Sequence, residues 1–347
     1  MQAPSAPHTR PIDSASSRMV ETGLPKGRHR RKSLVWFFMR ILIGAAILWA
    51  ILSRLEPRQV LQSLYGVSWQ PLLLAGLIYF LGKVPWTIRW QEILHAVGME
   101  RPFGELYVLL LISVFFNNFF PSAVGGDLIR GYYVSRGKEN MITGYSAVLV
   151  ERLLGLITLG LISALAALVA LVMHDGHLPR DLLLVVGGIG LAIAVGGTLF
   201  FAWIGWHRWF ASLSWHGPRV SRIVAGCSEA FEVFHRPNAR HGRMIAASFG
   251  VQISAALFYL CCARAVGILL PALVFFLVVP VAAVAAMIPV TFNGLGVREG
   301  VLAGLMVGAG VPPDLSGAFV LLALVTSTLL ALPGGALYPL YAASKKH

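Results

Sequence analysis

The sequence predicts an all-α polytopic membrane protein of about eight transmembrane helices, with at least one further broken segment that enters the bilayer and turns back. Three observations carry that prediction. Hydrophobic residues make up 57% of the chain and charged residues only 12%, about half the charged share of a soluble domain. Seven stretches (59–82, 106–126, 153–173, 182–206, 244–263, 265–297 and 315–344) contain no Lys, Arg, Asp or Glu. Each reaches the ~20 residues that a helix needs to cross ~30 Å of hydrocarbon. Base, by contrast, gathers in the first 33 residues, in 207–243 and at the very end.

The elements follow in order. Residues 1–33 carry seven Lys and Arg against Asp13 and Glu21. They read as a disordered basic tail and not as a cleaved leader, because the apolar segment after them is of full spanning length. One transmembrane domain over 34–342 holds the rest, with a short tail at 343–347. The first span is expected near 34–53, where Arg40 can snorkel. The second is expected near 67–87, with Lys83, Arg89 and Glu92 anchoring its end. Further spans are expected near 153–173, 182–206, 244–263, 271–290, 297–311 and 316–340, of which 297–311 is short. The connection 207–243 holds six arginines against Glu229 and Glu232, and its amphipathic part, 209–236, is expected on the interface.

Base stays on the cytoplasmic side. The distribution therefore places both termini and 207–243 inside a bacterial inner membrane, and the number of full spans must be even. A full crossing by 106–126 would break that parity and put Arg130, Arg136 and Lys138 outside. A re-entrant helix turning near 117–121 satisfies both constraints, provided that protein or a water-filled cavity covers its irregular backbone.

The net charge of +13 is thus a topology signal and an attraction to anionic lipid, and no nucleic-acid partner is expected. Cys227, Cys261 and Cys262 form no metal spacing, and the histidines form no coordination pattern. No metal site and no cofactor are expected, nor is ATP use, since no phosphate-binding glycine loop is present.

Two places concentrate turn residues and ionisable groups: NNFFPSAVGGDLIRG at 117–131 and IPVTFNGLGVREG at 288–300. Both have a proline, a glycine five residues on and an arginine nine residues on: Pro121, Gly126, Arg130, and Pro289, Gly294, Arg298. Asp127 and Glu299 stand close by, Asn118 precedes the first proline and Asn293 follows the second. This is a weak internal repeat, and paired broken segments in two halves of a chain point to a midplane site in transporters. Proline and glycine free backbone N–H groups, which with a helix N-terminus suit an anion. Arg130 or Arg298 would hold a phosphate by paired hydrogen bonds, and Asp127 and Glu299 would balance the empty site. The alternative is that both are cytoplasmic turns whose arginines anchor helix ends. Glu151 and Arg152 are adjacent and point about 100° apart on a helix. Each therefore needs another partner, Arg130 or Arg298 for Glu151.

Three pieces, NNFFPSAVGGDLIRGYYVSR at 117–136, AVLVERLLGLITL at 147–159 and IPVTFNGLGVREG at 288–300, resemble in sequence and order the flippase-like transmembrane domain of lysylphosphatidylglycerol synthases. The resemblance covers roughly 34–342. It implies movement or handling of phospholipids or other lipid-linked substrates, including glycan- or hopanoid-type lipids. The soluble domain that transfers the aminoacyl group in the full synthases is not expected here, since the chain ends at His347. Carried over by motif, the site comprises Asn118, Pro121, Gly125, Gly126, Asp127, Arg130, Glu151, Arg152, Pro289, Gly294, Gly296, Arg298 and Glu299. Two other functions stay open: a non-catalytic partner of a separate lipid-modifying enzyme, and a membrane-embedded lipid-phosphate enzyme using Asp127 or Glu299.

Overall fold

The computed structural model describes residues 65–119, 125–136, 141–173, 178–206, 240–287, 291 and 294–344. The tail at 1–33, the first expected span at 34–53 and the expected interfacial stretch at 209–236 lie outside the described residues, as do Pro121, Pro289 and Asn293. Ten helices are present among the described residues: α1 Trp69–Leu81, α2 Lys83–Ala96, α3 Phe103–Phe119, α4 Gly125–Ser135, α5 Met141–Val172, α6 Arg180–Trp206, α7 His241–Ala265, α8 Ala272–Met287, α9 Val297–Gly308 and α10 Pro313–Ser344.

The helices α1 and α2 are one rod. Gly82 between them keeps helical angles (φ −65°, ψ −17°) and its N–H donates to the Ile78 carbonyl at 2.8 Å. Five rods are then long and apolar enough to cross a membrane: α1–α2, α5, α6, α7 and α10. Their outward faces are aliphatic, as at Leu73, Leu77, Leu168, Leu184, Leu199 and Leu329, while Arg89, Arg130 and Glu151 lie inside. Such a distribution of charge suits lipid as the outer solvent and would fail in water.

The remaining helices form two hairpins. In the first, α4 doubles back on α3: the Gly126 N–H donates to Asn117 Oδ1 at 2.9 Å, and Arg101 at the start of α3 donates to the Val134 carbonyl near the end of α4. At 1.5 Å per residue, α3 is about 25 Å long and α4 about 16 Å, each shorter than the ~30 Å of hydrocarbon. In the second, α9 doubles back on α8, with Gly294 seated on Ala286 and Leu305 beside Leu277 and Val278. The spans expected at 271–290 and 297–311 correspond to α8 and α9, of 16 and 12 residues, each shorter than the ~20 residues of a full crossing.

The hairpins belong to two repeated units, α1–α5 and α7–α10. The rods and helices begin at Trp69, Phe103, Gly125 and Met141 in one, and at His241, Ala272, Val297 and Pro313 in the other, about 170 residues later each time. Their helix ends match as well. Gly98 (φ 78°) after α2 and Gly267 (φ 87°) after α7 take the left-handed backbone that terminates a helix, and each is followed four residues on by a proline, Pro102 and Pro271.

The units run in opposite directions. The first rod of each packs antiparallel on the other: the Ser68 N–H donates to the Ala265 carbonyl, Gly250 packs on Pro85, and Arg243 meets Glu92. Each hairpin packs on the long helix of the other unit, α3 on α10 and α8 on α5. Tyr341 donates to Glu105 Oε1 at 2.8 Å and Gly334 lies against the Leu111 backbone, so α3 and α10 are also antiparallel. The hairpins therefore enter the bundle from opposite ends, the arrangement of inverted repeats. The fifth long rod, α6, lies antiparallel on α5, where Gly160 and Gly190 bring the two backbones together.

Candidate functional site

Among the described residues, two charged arrangements, one per hairpin, lie in the interior of the bundle. The first is closed. Arg130, on α4 and 1% exposed, donates through Nη1 to Glu151 Oε2 at 2.7 Å and through Nη2 to Asp127 Oδ1 at 2.8 Å. Glu151, on α5, also accepts from Arg89 Nη2 at 3.1 Å and from the indole N–H of Trp86. Asp127 also accepts from Arg152, whose side chain is partly exposed. The Arg130 guanidinium lies 4.9 Å from the Trp90 ring centroid, a cation–π contact that replaces water on that face. Helix α4 can reach this cluster because Gly126 lies directly against the Ser113 backbone, where a side chain would hold the hairpin open.

Among the described residues the network holds Arg89, Arg130 and Arg152 against Asp127 and Glu151. Arg89 Nε and Nη1 and Arg130 Nε have no hydrogen-bond partner. Guanidinium N–H groups left unpaired at this depth are costly.

The second arrangement is open. Arg298, second residue of α9, donates through Nε and Nη2 to Glu299 Oε1 at 2.9 and 2.7 Å. Glu299 Oε2 accepts from the Gly296 N–H at 2.7 Å, which ties the carboxylate to the first turn of its own helix. Gly294 and Gly296 both hold positive φ, 71° and 83°. Arg298 keeps 28% of its side chain exposed and faces a cavity of about 180 Å³, lined also by Tyr79, Lys83, Trp86, Ser254, Tyr259 and Ser327. Lys83 Nζ stands 4.1 Å from the Tyr79 ring centroid and 5.1 Å from that of Trp86. The Tyr79 hydroxyl is buried and has no hydrogen-bond partner.

The two hairpins present their carboxylates alike: Asp127 and Glu299 are each the third residue of the returning helix. Their arginines differ, Arg130 lying one turn deeper along α4 and Arg298 just before Glu299. Of the residues singled out from sequence, the structure joins Asp127, Arg130, Glu151 and Arg152 in one cluster, and Arg298, Glu299, Gly294 and Gly296 in another. Gly125 and Gly126 open α4 and are buried, and Asn118 lies half-buried in the last turn of α3. Arg130 does not line the cavity; Arg298 does.

Lys83, Trp86 and Arg89 are the residues that sequence reasoning missed. The expected span ended near residue 87, which made Lys83 and Arg89 anchors at a helix end. The rod instead continues to Ala96, so Lys83 falls at its middle and Arg89 is 4% exposed. Spacing carried the signal: Tyr79, Lys83, Trp86 and Trp90 recur at helical intervals on one face. Glu92 is buried as well and takes Arg243 at 2.9 Å. It borders a wider, more open cavity of about 520 Å³ with Gln91, His95, Arg101 and Arg240, at the end of the bundle and not at its middle.

Comparison with known proteins gives a consistent result. The family described as the lysylphosphatidylglycerol synthase TM region matches residues 37–335. Two proteins of Methanothermobacter thermautotrophicus, each named as a UPF0104 membrane protein, are similar to the chain. One is 25% identical, covering 83% of this chain and 87% of its own length; the other is 24% identical, covering 88% and 95%. A UPF0104 membrane protein of Methanocaldococcus jannaschii is 28% identical over a shorter stretch, 33% of this chain and 34% of its own.

Proposed function

Since the chain belongs to the family of the lysylphosphatidylglycerol synthase transmembrane region, we propose that it handles membrane lipid by moving an anionic headgroup across the bilayer through the cavity at Arg298. The single observation that carries this reading is a solvent-sized space at the middle of a spanning rod, with Lys83 and Arg298 on its wall. The headgroup enters that space while its tails stay in lipid. Arg298 takes the phosphate in this state, with Glu299 and the glycines holding the guanidinium in place. In the state with the roles of the two inverted units exchanged, Arg130 leaves its carboxylates and Asp127, Glu151 and Arg152 readjust around the headgroup. Phospholipids or lipid-linked substrates of a bacterial inner membrane are the proposed cargo, with both termini cytoplasmic. The match is to the transmembrane region alone, and no aminoacyl transfer is ascribed to the chain.

The test is a dithionite-quench assay on purified protein in liposomes carrying fluorescent phospholipid. Accelerated loss of inner-leaflet signal, reduced in folded Arg298→Ala and Arg130→Ala proteins, is expected. Equal rates in protein-containing and empty vesicles would end the reading, as would full activity in both variants.

A further inference from the structure

The chemistry of the cavity wall narrows the headgroup further. Lys83 has no carboxylate within ion-pair distance among the described residues; its ammonium is held instead over the rings of Tyr79 and Trp86. Arg298 is matched by Glu299, whose two oxygens already accept from the guanidinium and from the Gly296 backbone. Among the described residues no carboxylate lines the space itself. Its described wall therefore carries one positive charge in excess, that of Lys83. Its remaining polar groups are hydroxyls, of which Tyr79 has none of its hydrogen bonds made.

Resting on the reading of this cavity as a headgroup site, we infer that it selects a phosphodiester headgroup of net negative charge that carries no ammonium group, and that Lys83 sets the selection. A phosphodiester monoanion cancels the excess charge. An ethanolamine or lysyl headgroup brings its own ammonium into a space already bounded by Lys83 and Arg298, where none of the described lining residues is negative and unoccupied. Like charges forced together out of water cost several times thermal energy. The wall rejects such a headgroup by the same charge that holds the phosphate. Hydroxyls on the headgroup are accommodated, since Tyr79 can donate to them and Ser254 and Ser327, which use their protons on Val251 and Leu324 carbonyls, can accept. A glycerol- or sugar-bearing phosphodiester fits every group on the wall.

The experiment reads binding, so that it stands apart from any result on movement. Thermal unfolding of the purified full chain in detergent is followed against dihexanoyl phosphatidylglycerol, dihexanoyl phosphatidylethanolamine, a short-chain lysylphosphatidylglycerol and sn-glycerol 3-phosphate. Phosphatidylglycerol is expected to stabilise at about tenfold lower concentration than either amine-bearing lipid. Lys83→Gln is expected to bring the three lipids to similar potency, whereas Lys83→Arg, which also controls for misfolding, keeps the preference. Equal potency of the three lipids on the native chain would overturn the inference, as would a Lys83→Gln protein that still discriminates. Glycerol phosphate acting as strongly as the lipid would overturn the assignment to lipid and place a water-soluble phosphoester in the cavity. A preserved binding preference alongside no transbilayer movement would defeat the transport reading and leave the headgroup assignment standing.

Discussion

Arg130 and Glu151, contributed by α4 and α5, meet at 2.7 Å with each side chain only 1% exposed. The pair fastens the returning arm of the first hairpin to a full-length spanning helix. Among the described residues Glu151 is also the one carboxylate that Arg89 contacts. Glu151→Gln preserves volume and leaves two buried guanidinium groups short of charge compensation. The expected loss is about 3–5 kcal/mol, the usual consequence of removing one partner from a buried ion pair. Denaturant unfolding in detergent micelles checks it, and an unchanged midpoint would show that water reaches the cluster.

Trp86 has two edges with different duties. Its N–H donates to Glu151, while its ring lies under Lys83 on the cavity wall. Trp86→Phe removes the first and keeps an aromatic face for the second. The variant is expected to lose about 1.5–3 kcal/mol of stability, as for a hydrogen bond to a charged acceptor, while retaining the lipid preference of the native chain. Trp86→Leu is expected to lose both. Thermal shifts with and without short-chain phosphatidylglycerol separate the two effects.

Gly126 and Gly196 are both helical glycines, and only one is constrained by its surroundings. A methyl group on Gly126 meets the Ser113 backbone, which cannot yield, whereas Gly196 has nothing within 4 Å. Gly126→Ala is expected to push α4 off α3 and to cost more than 2 kcal/mol, in the range of core overpacking at about 1–3 kcal/mol or above. Gly196→Ala gains about 0.5–1 kcal/mol from helix propensity alone. Equal midpoints for the two variants would show that the hairpin contact is looser than drawn.

The long rods were legible in the sequence because a charge-free run of spanning length has no other stable solution in lipid. The first hairpin was legible as well, since a full crossing by 106–126 would expose Arg130 and Arg136 on the wrong side. The second was not, because 265–297 holds no charge to mark where the chain turns, and its 33 residues fit one span and a half as readily as a hairpin arm. The motif arginines were visible through their proline and glycine neighbours. Lys83, Trp86 and Arg89 lacked such neighbours, and their place at the middle of a rod depended on where that rod ends. The repeat appears in sequence as three paired positions. In the structure it extends to helix starts, the Gly98 and Gly267 caps and the reciprocal packing of hairpins, none of which requires similar side chains.

Inverted units make a prediction about sidedness that a simple count of spans does not. If the first hairpin enters and returns, positions flanking it, Phe103 and Arg136, lie on one side of the membrane. The second hairpin comes from the other unit, so Leu269 and Pro312, which flank it, share the opposite side. All four residues are exposed. In a chain with Cys227, Cys261 and Cys262 replaced, single cysteines at the four positions are labelled in intact cells with a membrane-impermeant maleimide. The expected pattern is two and two, with Leu269→Cys and Pro312→Cys reacting from outside, because Arg101, Arg136, Arg240 and Arg243 gather at the end of the bundle where Phe103 lies and base is retained in the cytoplasm. Phe103 and Arg136 reacting from different sides would make α3–α4 a crossing. Leu269 and Pro312 reacting from different sides would restore the separate spans at 271–290 and 297–311. All four reacting from one side would make the units parallel, and the exchange of roles between Arg130 and Arg298 would then lose its geometric basis.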